Sequence, residues 1–296
     1  MAKRTLQELN LLDDFLFGTM LTYPEIGEKF IRELLRIIFH REFGNLNIVS
    51  QKTYYGSNTD KHGARLDVYV EECADGLPGN ATVYDVEPDK NDDSESITAL
   101  PKRTRFYHAK IDAVSLKSGE SYHSLKNVIV VIITPYDPFG LGRMVYTIQS
   151  RCAEVPEMPY DDGARTLYLY TRGTEGNPPK ELAELLHYME HTTEENAKNT
   201  TLRTIQQMVT KIKYDGEVSL EYMKILEREE MLIRRGYKEG QKAEQANTER
   251  EKQRADMEKT RADMEKNKAD TEKARADAAE KELLRLREEL KRLQNK

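Results

Sequence analysis

The sequence predicts an α/β protein with a mixed sheet, followed by a helical region and a long C-terminal helix. First, short runs rich in β-branched and aromatic residues alternate with helical stripes of apolar residues. Second, the run 128–133 is continuously apolar and β-branched, which is typical of a central strand covered on both faces. Third, the chain beyond Tyr237 has no aromatic residue, valine or isoleucine and consists mostly of strong helix formers.

The elements follow one another in an order that defines the architecture. Residues 5–40 carry two helical apolar stripes separated at Pro24, which we expect in the first turn of the second helix because proline lacks an N–H. The patterns then predict strands at about 47–55, 65–72 and 81–87, a helix at about 99–115, and strands at 128–133, 145–148 and 166–170. The order helix, three strands, helix, strand predicts an α/β or α+β sandwich with a mixed sheet.

The chain divides into three predicted parts: a core over residues 1–178, a helical extension over 179–240, and a charged heptad-repeat helix over 241–296. Acidic and basic residues three apart in the repeats favour a solvated helix. Leucines occupy both lines of a heptad seam only near Leu283, Leu286, Leu290 and Leu293. Since this is about two heptads, fewer than coiled coils usually need, a dimerising coiled coil and a solvated helix with an apolar tip both remain open.

The charge is uneven along the chain. The net charge is −6, although residues 241–296 carry a slight excess of lysine and arginine, so the remaining chain is more acidic than the total. An acidic body is not typical of a general nucleic-acid binder, because phosphate contacts need lysine and arginine. Any nucleic-acid site must therefore be a local basic patch.

Cysteine content and hydropathy exclude several classes. The two cysteines, Cys73 and Cys152, are too few for a disulfide scaffold or a cysteine-based zinc site. Neither a signal peptide nor an apolar run near the ~18 residues of a membrane span is found, so we expect a cytoplasmic protein without a membrane partner. The sequence also lacks glycine-rich nucleotide-binding fingerprints.

Two acidic residues stand out in neighbouring predicted strands. Asp67 lies in the run 65–70 and Glu87 ends the run 81–87, with a cluster of turn formers between them that predicts a hairpin. Carboxylates on adjacent strands can share a hard cation such as Mg²⁺, which can activate water for phosphodiester displacement. Acids at strand ends beside turns are also commonly just solvated, so both interpretations stand on spacing alone.

Five stretches, taken in order, resemble the recombination-promoting nuclease family of transposase-like proteins in the PD-(D/E)XK nuclease superfamily. They are Leu12-Asp13-Asp14-Phe15-Leu16-Phe17, Arg65-Leu66-Asp67-Val68-Tyr69, Tyr84-Asp85-Val86-Glu87, Leu100-Pro101-Lys102-Arg103-Thr104-Arg105-Phe106-Tyr107-His108 and Thr134-Pro135-Tyr136-Asp137-Pro138-Phe139-Gly140. The resemblance covers about residues 5–240. It implies a restriction-endonuclease-like core, whose helix, three strands, helix, strand order matches the predicted one.

The resemblance also implies roles for the two acids. Asp67 would be the first metal-binding carboxylate and Glu87 the second, with Mg²⁺ or Mn²⁺ as the cofactor. In that superfamily a Lys or Gln two residues after the second acid helps to position the attacking water. Here Asp89 occupies that place and Lys90 follows one residue later, so we assign Lys90 as the third catalytic candidate.

Further residues are assigned supporting roles on the same basis. Lys102, Arg103 and Arg105 are candidates for DNA binding and could supply the positive charge instead of Lys90. Asp14 and Asp89 are candidates for supporting carboxylates. A solvated acid at the start of a helix is an equal alternative for Asp14.

The resemblance implies a magnesium-dependent endodeoxyribonuclease, a hydrolase linked to DNA recombination or mobile elements. Its expected partner is DNA. The C-terminal helix lies outside the resemblance and is a candidate site for joining a second copy of the chain. The alternative is a catalytically degenerate nuclease scaffold that acts as an oligomeric interaction protein, because a residue expected to be Lys or Gln is replaced by Asp89.

Overall fold

A computed structural model describes the backbone of residues 4–54, 64–72 and 81–294. Within these ranges the side chains of residues 50–54, 64, 65, 67 and 292–294 are outside the description. Cys73, His62 and the predicted hairpin turn between the two acid-bearing strands lie outside the described residues.

The described residues form six helices and six strands, apart from short single turns of 3₁₀-helix. In chain order these are α1 (Asp14–Thr22), α2 (Gly27–Phe39), β1 (Leu46–Tyr54), β2 (Ala64–Glu72), β3 (Thr82–Pro88), α3 (Ser94–Ser115), β4 (Asn127–Thr134), β5 (Val145–Gln149), β6 (Ala164–Tyr170), α4 (Lys180–Glu190), α5 (Thr200–Lys213) and α6 (Gly216–Gln294). The α/β class, the mixed sheet and the long C-terminal helix are confirmed.

The six strands form one sheet in the order β1-β2-β3-β4-β6-β5. The strands β1, β2 and β3 form an antiparallel meander. Strand β4 then pairs parallel with β3 on one side and β6 on the other, while β5 returns antiparallel to β6. Parallel neighbours need a crossover connection, which α3 supplies between β3 and β4.

Strand β4 is central because both of its faces are covered. Val130 and Ile132 belong to the cluster that packs against Leu100 and Ile111 of α3. Val131 and Ile133, which alternate with them, are fully buried as well. This accounts for the continuous apolar run, since a half-exposed strand would alternate apolar and polar residues.

The opposite face of the sheet receives α2. Phe39 at the end of this helix packs against Tyr84 of β3, with ring centroids 5.0 Å apart. Alternation along β3 therefore gives its two faces different environments. Val83 lies in the cluster shared with α3, while Tyr84 contacts the end of α2.

The first helices differ in detail from the sequence prediction. The apolar stripe that starts at Leu6 forms a single 3₁₀ turn, and α1 begins only at Asp14. Helix α2 begins at Gly27, three residues after Pro24, because residues 23–26 form a turn closed by Ile26 N–H donating to the Tyr23 carbonyl at 3.2 Å. Glycine is required at position 27, since a Cβ there would lie 2.1 Å from the carbonyl oxygen of Leu21.

The chain separates into two compact units, Met1–Lys224 and Ile225–Lys296. The first unit contains the sheet, α1 to α5 and the first residues of α6, where Val218 and Tyr222 are buried. The second unit is the remainder of α6, and its described side chains are exposed almost throughout. No helix in the described part of the chain is both long and apolar enough to cross a membrane.

Candidate active site

One cavity of about 410 Å³ lies where β3 ends and α1 begins, against the first half of α3. Its lining is almost entirely polar and contains Asp13, Asp14, Glu87, Pro88, Asp89, Lys90, Asn91, Arg103 and Tyr107. Five residues assigned from the sequence therefore meet here, namely Asp14, Glu87, Asp89, Lys90 and Arg103. We call this space the acidic cavity.

Glu87 enters the acidic cavity from the end of β3. Its backbone pairs with Ile132 of β4, and the residue is only 6% exposed. Tyr107 on α3 lines the same cavity, close enough to Glu87 for the two groups to interact electrostatically. Burial raises the pKa of Tyr107, and the negative charge of Glu87 raises it further. The phenol of Tyr107 therefore stays protonated beside Glu87.

Asp89 is buried in a dense set of hydrogen bonds. Its backbone N–H donates to the Ile133 carbonyl at 2.8 Å, which continues the β3–β4 ladder by one residue. One carboxylate oxygen forms an ion pair with Arg103 and accepts from the Tyr136 hydroxyl at 2.9 Å. The other oxygen accepts from the backbone N–H of Asn91 at 3.0 Å and from its side chain at 2.8 Å. Asp89 thus holds Arg103 at the cavity wall.

Lys90 is paired across the cavity with Asp13, the residue just before α1. Its ammonium donates to Asp13 Oδ1 at 2.5 Å. Asp13 also accepts from Arg4 Nη1 at 3.1 Å and Nη2 at 2.5 Å, and from the backbone N–H of Asn10 at 2.7 Å. These hydrogen bonds hold the pKa of Asp13 below its usual range although burial acts to raise it. The ammonium of Lys90, the third catalytic candidate, is therefore ion-paired with Asp13 in this structure.

Asp14 lines the cavity from the first turn of α1, and its pKa is raised. Removal of water raises the pKa of its carboxyl group, Lys90 opposes this, and the charges of Asp13 and Asp89 raise it again. The residue is exposed, so these effects are partly screened by solvent. The lining holds four acids, Asp13, Asp14, Glu87 and Asp89, against two cations, Lys90 and Arg103, so its formal charge is negative.

The backbone of Asp67 lies in β2, while its side chain is outside the description. Asp67 lies two residues before Tyr69, whose partner on β3 is Asp85, and Glu87 lies two residues after Asp85. The two acids singled out from the sequence therefore lie on neighbouring antiparallel strands. Because the strands run in opposite directions, both acids lie on the same side of the Tyr69–Asp85 pair, each two residues from it.

The other basic candidates do not reach the acidic cavity. Lys102 is exposed on α3 and does not belong to the lining. Arg105 lines a second cavity of about 400 Å³ between α3, β5 and β6. His108 lines this second cavity too, where it hydrogen-bonds Thr166 through Nε2 at 2.9 Å and burial lowers its pKa. The three candidate cations of α3 are thus separated, and Arg103 alone of them lines the acidic cavity.

The donor set of the acidic cavity fits a hard divalent cation. Glu87 and Asp14 offer carboxylate oxygens in a polar space, and a cation would offset the negative formal charge of the lining. Asp13 and Asp89 are instead committed to cationic side chains. Among the described side chains, which exclude Asp67, no group of three or more His, Cys, Asp or Glu residues is arranged to hold a metal ion.

Several residues of the site have no assigned role in the sequence analysis, and Asp13 and Tyr136 are two of them. Asp13 meets Lys90 across 77 positions of sequence, and Tyr136 meets Asp89 across 47. Both lie in stretches that carry the family resemblance, which is the one signal that could have identified them.

Comparison of the chain with protein-family models, curated proteins and solved structures gave no match.

Proposed function

We propose that the chain is a divalent-metal-dependent DNA endonuclease of the PD-(D/E)XK type, with a restriction-endonuclease-like core and a role in recombination or mobile elements. The observation that carries the proposal is the acidic cavity, where a buried glutamate and an arginine face one polar space at the end of β3. We further propose that it acts on DNA in the cytoplasm.

In this proposal Glu87 and Asp67 hold Mg²⁺ or Mn²⁺, with Asp14 as a supporting carboxylate. Such a cation, when bound, activates a water and stabilises the charge that develops on the phosphodiester. Tyr107 lines the cavity beside Glu87 as a protonated phenol. The buried Glu87 and the backbone position of Asp67 on the neighbouring strand suit a metal site on adjacent strands.

Arg103 supplies the positive charge toward the scissile phosphate. Its guanidinium lines the acidic cavity and is oriented by Asp89, and guanidinium groups match the geometry of phosphate oxygens. Asp89 is therefore a positioning residue. Lys90 remains the alternative source of positive charge, provided that DNA binding releases its ammonium from Asp13.

The decisive experiment is cleavage of supercoiled plasmid by purified protein with Mg²⁺, Mn²⁺ or EDTA. We expect cutting that needs the metal and is abolished in Asp67→Asn and Glu87→Gln, since each removes a proposed ligand charge with little change in volume. The matched control is Asp92→Asn, an exposed acid just beyond β3 that is absent from the cavity lining. The control should cut at the unmodified rate.

The outcomes separate cleanly. Cleavage that persists in both Asp67→Asn and Glu87→Gln would exclude this mechanism. Loss of cleavage in Asp92→Asn as well would point to a general effect of charge or folding, which near-ultraviolet circular dichroism would detect.

A second candidate function is a catalytically degenerate scaffold that serves as an oligomeric interaction protein. The observation that favours it is that both residues after Glu87 that were considered for the catalytic position already form ion pairs. Asp89 pairs with Arg103, and Lys90 pairs with Asp13. Calorimetric titration with Mg²⁺ and Mn²⁺ discriminates the two functions. Absence of binding at concentrations on the order of millimolar would favour the scaffold, because the proposed chemistry depends on a bound cation.

A further inference from the structure

The C-terminal unit carries leucines that nothing within it covers. Leu283, Leu286 and Leu290 are 57%, 51% and 57% exposed on α6. Leucine on an isolated helix is stabilised when another apolar surface removes it from water. The surface that would cover these residues must therefore come from outside this segment of the helix.

The spacing of these leucines defines one line along the helix. Leu283 and Leu290 stand seven residues apart at the heptad position termed a, and Leu286 and Leu293 stand at position d. We call these four residues the leucine seam. Ala276 and Ala279 continue the same two lines toward the N-terminus with small residues.

The residues flanking the leucine seam are charged in a complementary way. In a parallel two-stranded coiled coil, position g of one helix faces position e of the next heptad in the partner. Here Arg275 at g would face Glu280 at e of a second copy, and Glu282 at g would face Arg287 at e. Both contacts join opposite charges, and twofold symmetry repeats each of them.

We propose that the leucine seam is the interface of a parallel, in-register homodimer, formed by a two-stranded coiled coil over about residues 275–293. The occupant of the exposed face is a second copy of this chain. The inference is independent of the proposed nuclease function, since it uses no residue of the acidic cavity.

The opposite orientation is disfavoured by the same charges. An antiparallel pair that keeps leucine against leucine would bring the g positions of the two helices together. Glu282 of one helix would then face Glu289 of the other. The Arg287 side chains of the two helices would also lie near each other. Like charges at these positions weaken pairing.

The dimer contact ends where the leucines end. Upstream, position d holds Glu258, Glu265 and Glu272 in place of leucine. The flanking g and e positions there are all basic, as in Arg261 opposite Lys266 and Lys268 opposite Lys273. Because such a seam has neither an apolar core nor opposite charges across it, the repeats before Arg275 stay solvated.

The first test is sedimentation equilibrium of the full chain over a range of concentrations. We expect a monomer–dimer equilibrium that Leu283→Ser weakens by at least about 100-fold, because two leucines leave the interface. Leu284→Ser is the matched control, since Leu284 is 56% exposed but lies at position b, off the seam. A wild-type chain that stays monomeric, or equal effects of the two variants, would overturn the proposal.

The second test exchanges charges across the interface. Glu282→Arg and Arg287→Glu should each weaken the dimer by about tenfold, because two symmetric attractions become repulsions. The double variant should recover most of the wild-type affinity. Glu288→Arg is the control at the outward f position. Failure of the double variant to recover affinity would reject the pairing of Glu282 with Arg287.

The third test fixes orientation. In a chain with Cys73→Ser and Cys152→Ser, the substitution Ala276→Cys should give a disulfide-linked dimer under mild oxidation. Parallel pairing brings the two a-position residues together, within the roughly 4–7 Å between Cα atoms that a disulfide allows. Antiparallel pairing of the leucines would keep them far apart. A dimer in solution that does not cross-link would overturn the parallel arrangement.

Discussion

At the scale of single residues, the direction of each side chain from α3 decides which cation belongs to the acidic cavity. Arg103 and Tyr107 are four residues apart, so they lie on one face of the helix and line the same space. Arg105 is two residues from Arg103, which turns it to the far side of the helix and into the second cavity. Chemical similarity between the two arginines therefore does not imply a similar role.

This difference predicts contrasting effects of two identical substitutions. Arg103→Ala should lower metal-dependent plasmid cleavage by about 10²–10³-fold, the usual loss when one group that stabilises transition-state charge is removed. Arg105→Ala should leave the rate within about threefold, as expected for a side chain outside the site. Single-turnover rates at saturating protein would measure both. Equal losses in the two variants would show that the arginines act in general DNA binding.

The sequence alone could identify much of the candidate site but not its internal contacts. Glu87, Asp89, Lys90, Asp14 and Arg103 were all assigned from the chain and all line the acidic cavity. The pairing of Lys90 with Asp13 could not be read from local patterns, because α1 and the end of β3 meet only through tertiary packing. Periodicity shows which face of an element is apolar, but it does not show which distant acid forms an ion pair with a given lysine.

At the scale of elements, one cluster of polar residues ties the end of α2 to the sheet. Arg41, just after α2, donates to both carboxylate oxygens of Glu72 on β2, at 2.9 and 2.5 Å. It also donates to the hydroxyl of Tyr84 on β3 at 2.6 Å, and its guanidinium lies 3.9 Å from the centre of the Phe43 ring. Three elements are therefore held at one point beside the two strands that carry Asp67 and Glu87.

The Glu72 carboxylate should make stability depend on pH. The hydrogen bonds from Arg41 hold the pKa of Glu72 below its ordinary value of 4.5, against the effect of burial. A lowered folded-state pKa stabilises the fold at pH values above the unfolded pKa, and this contribution disappears as the pH falls through the folded value. Glu72→Gln should thus reduce the free energy of unfolding by about 1–2 kcal/mol at pH 7 and by much less near pH 3.

Urea denaturation at the two pH values measures this difference. Glu157→Gln, an exposed acid between β5 and β6, is the control and should change stability equally little at both. If Glu72→Gln lowers the free energy of unfolding equally at both pH values, packing of the side chain, and not its charge, stabilises the contact.

Elements with a strong period were predicted closely, and the first helices were not. Strand β4 was found where a continuous β-branched run lies, because no other element buries such a run on both faces. The stripe from Leu6 to Met20 was read as one helix, yet only its second half forms α1. Asp13 explains the break, since its carboxylate accepts from Asn10 N–H and from Lys90 and ends up in the cavity wall.

At the scale of the whole molecule, the chain keeps its candidate chemistry and its proposed self-association in separate units. Every residue that lines the acidic cavity belongs to Met1–Lys224, and the leucine seam belongs to Ile225–Lys296. The first residues of α6 belong to the first unit, where the Tyr222 hydroxyl donates to the Arg4 carbonyl at 3.1 Å. A truncation that removes the proposed self-association but keeps the acidic cavity must therefore end after Tyr222 and before the heptad repeats.

A chain that ends at residue 240 makes this cut. We expect it to unfold at the same temperature as the first unit of the full chain, because Val218 and Tyr222 keep their buried contacts. It should sediment as a monomer at concentrations where the full chain dimerises, and its metal-dependent cleavage per chain should be unchanged, because the whole cavity is retained. Folded, monomeric 1–240 that no longer cuts plasmid would instead show that cleavage needs two copies, with the C-terminal helix acting on catalysis by bringing them together.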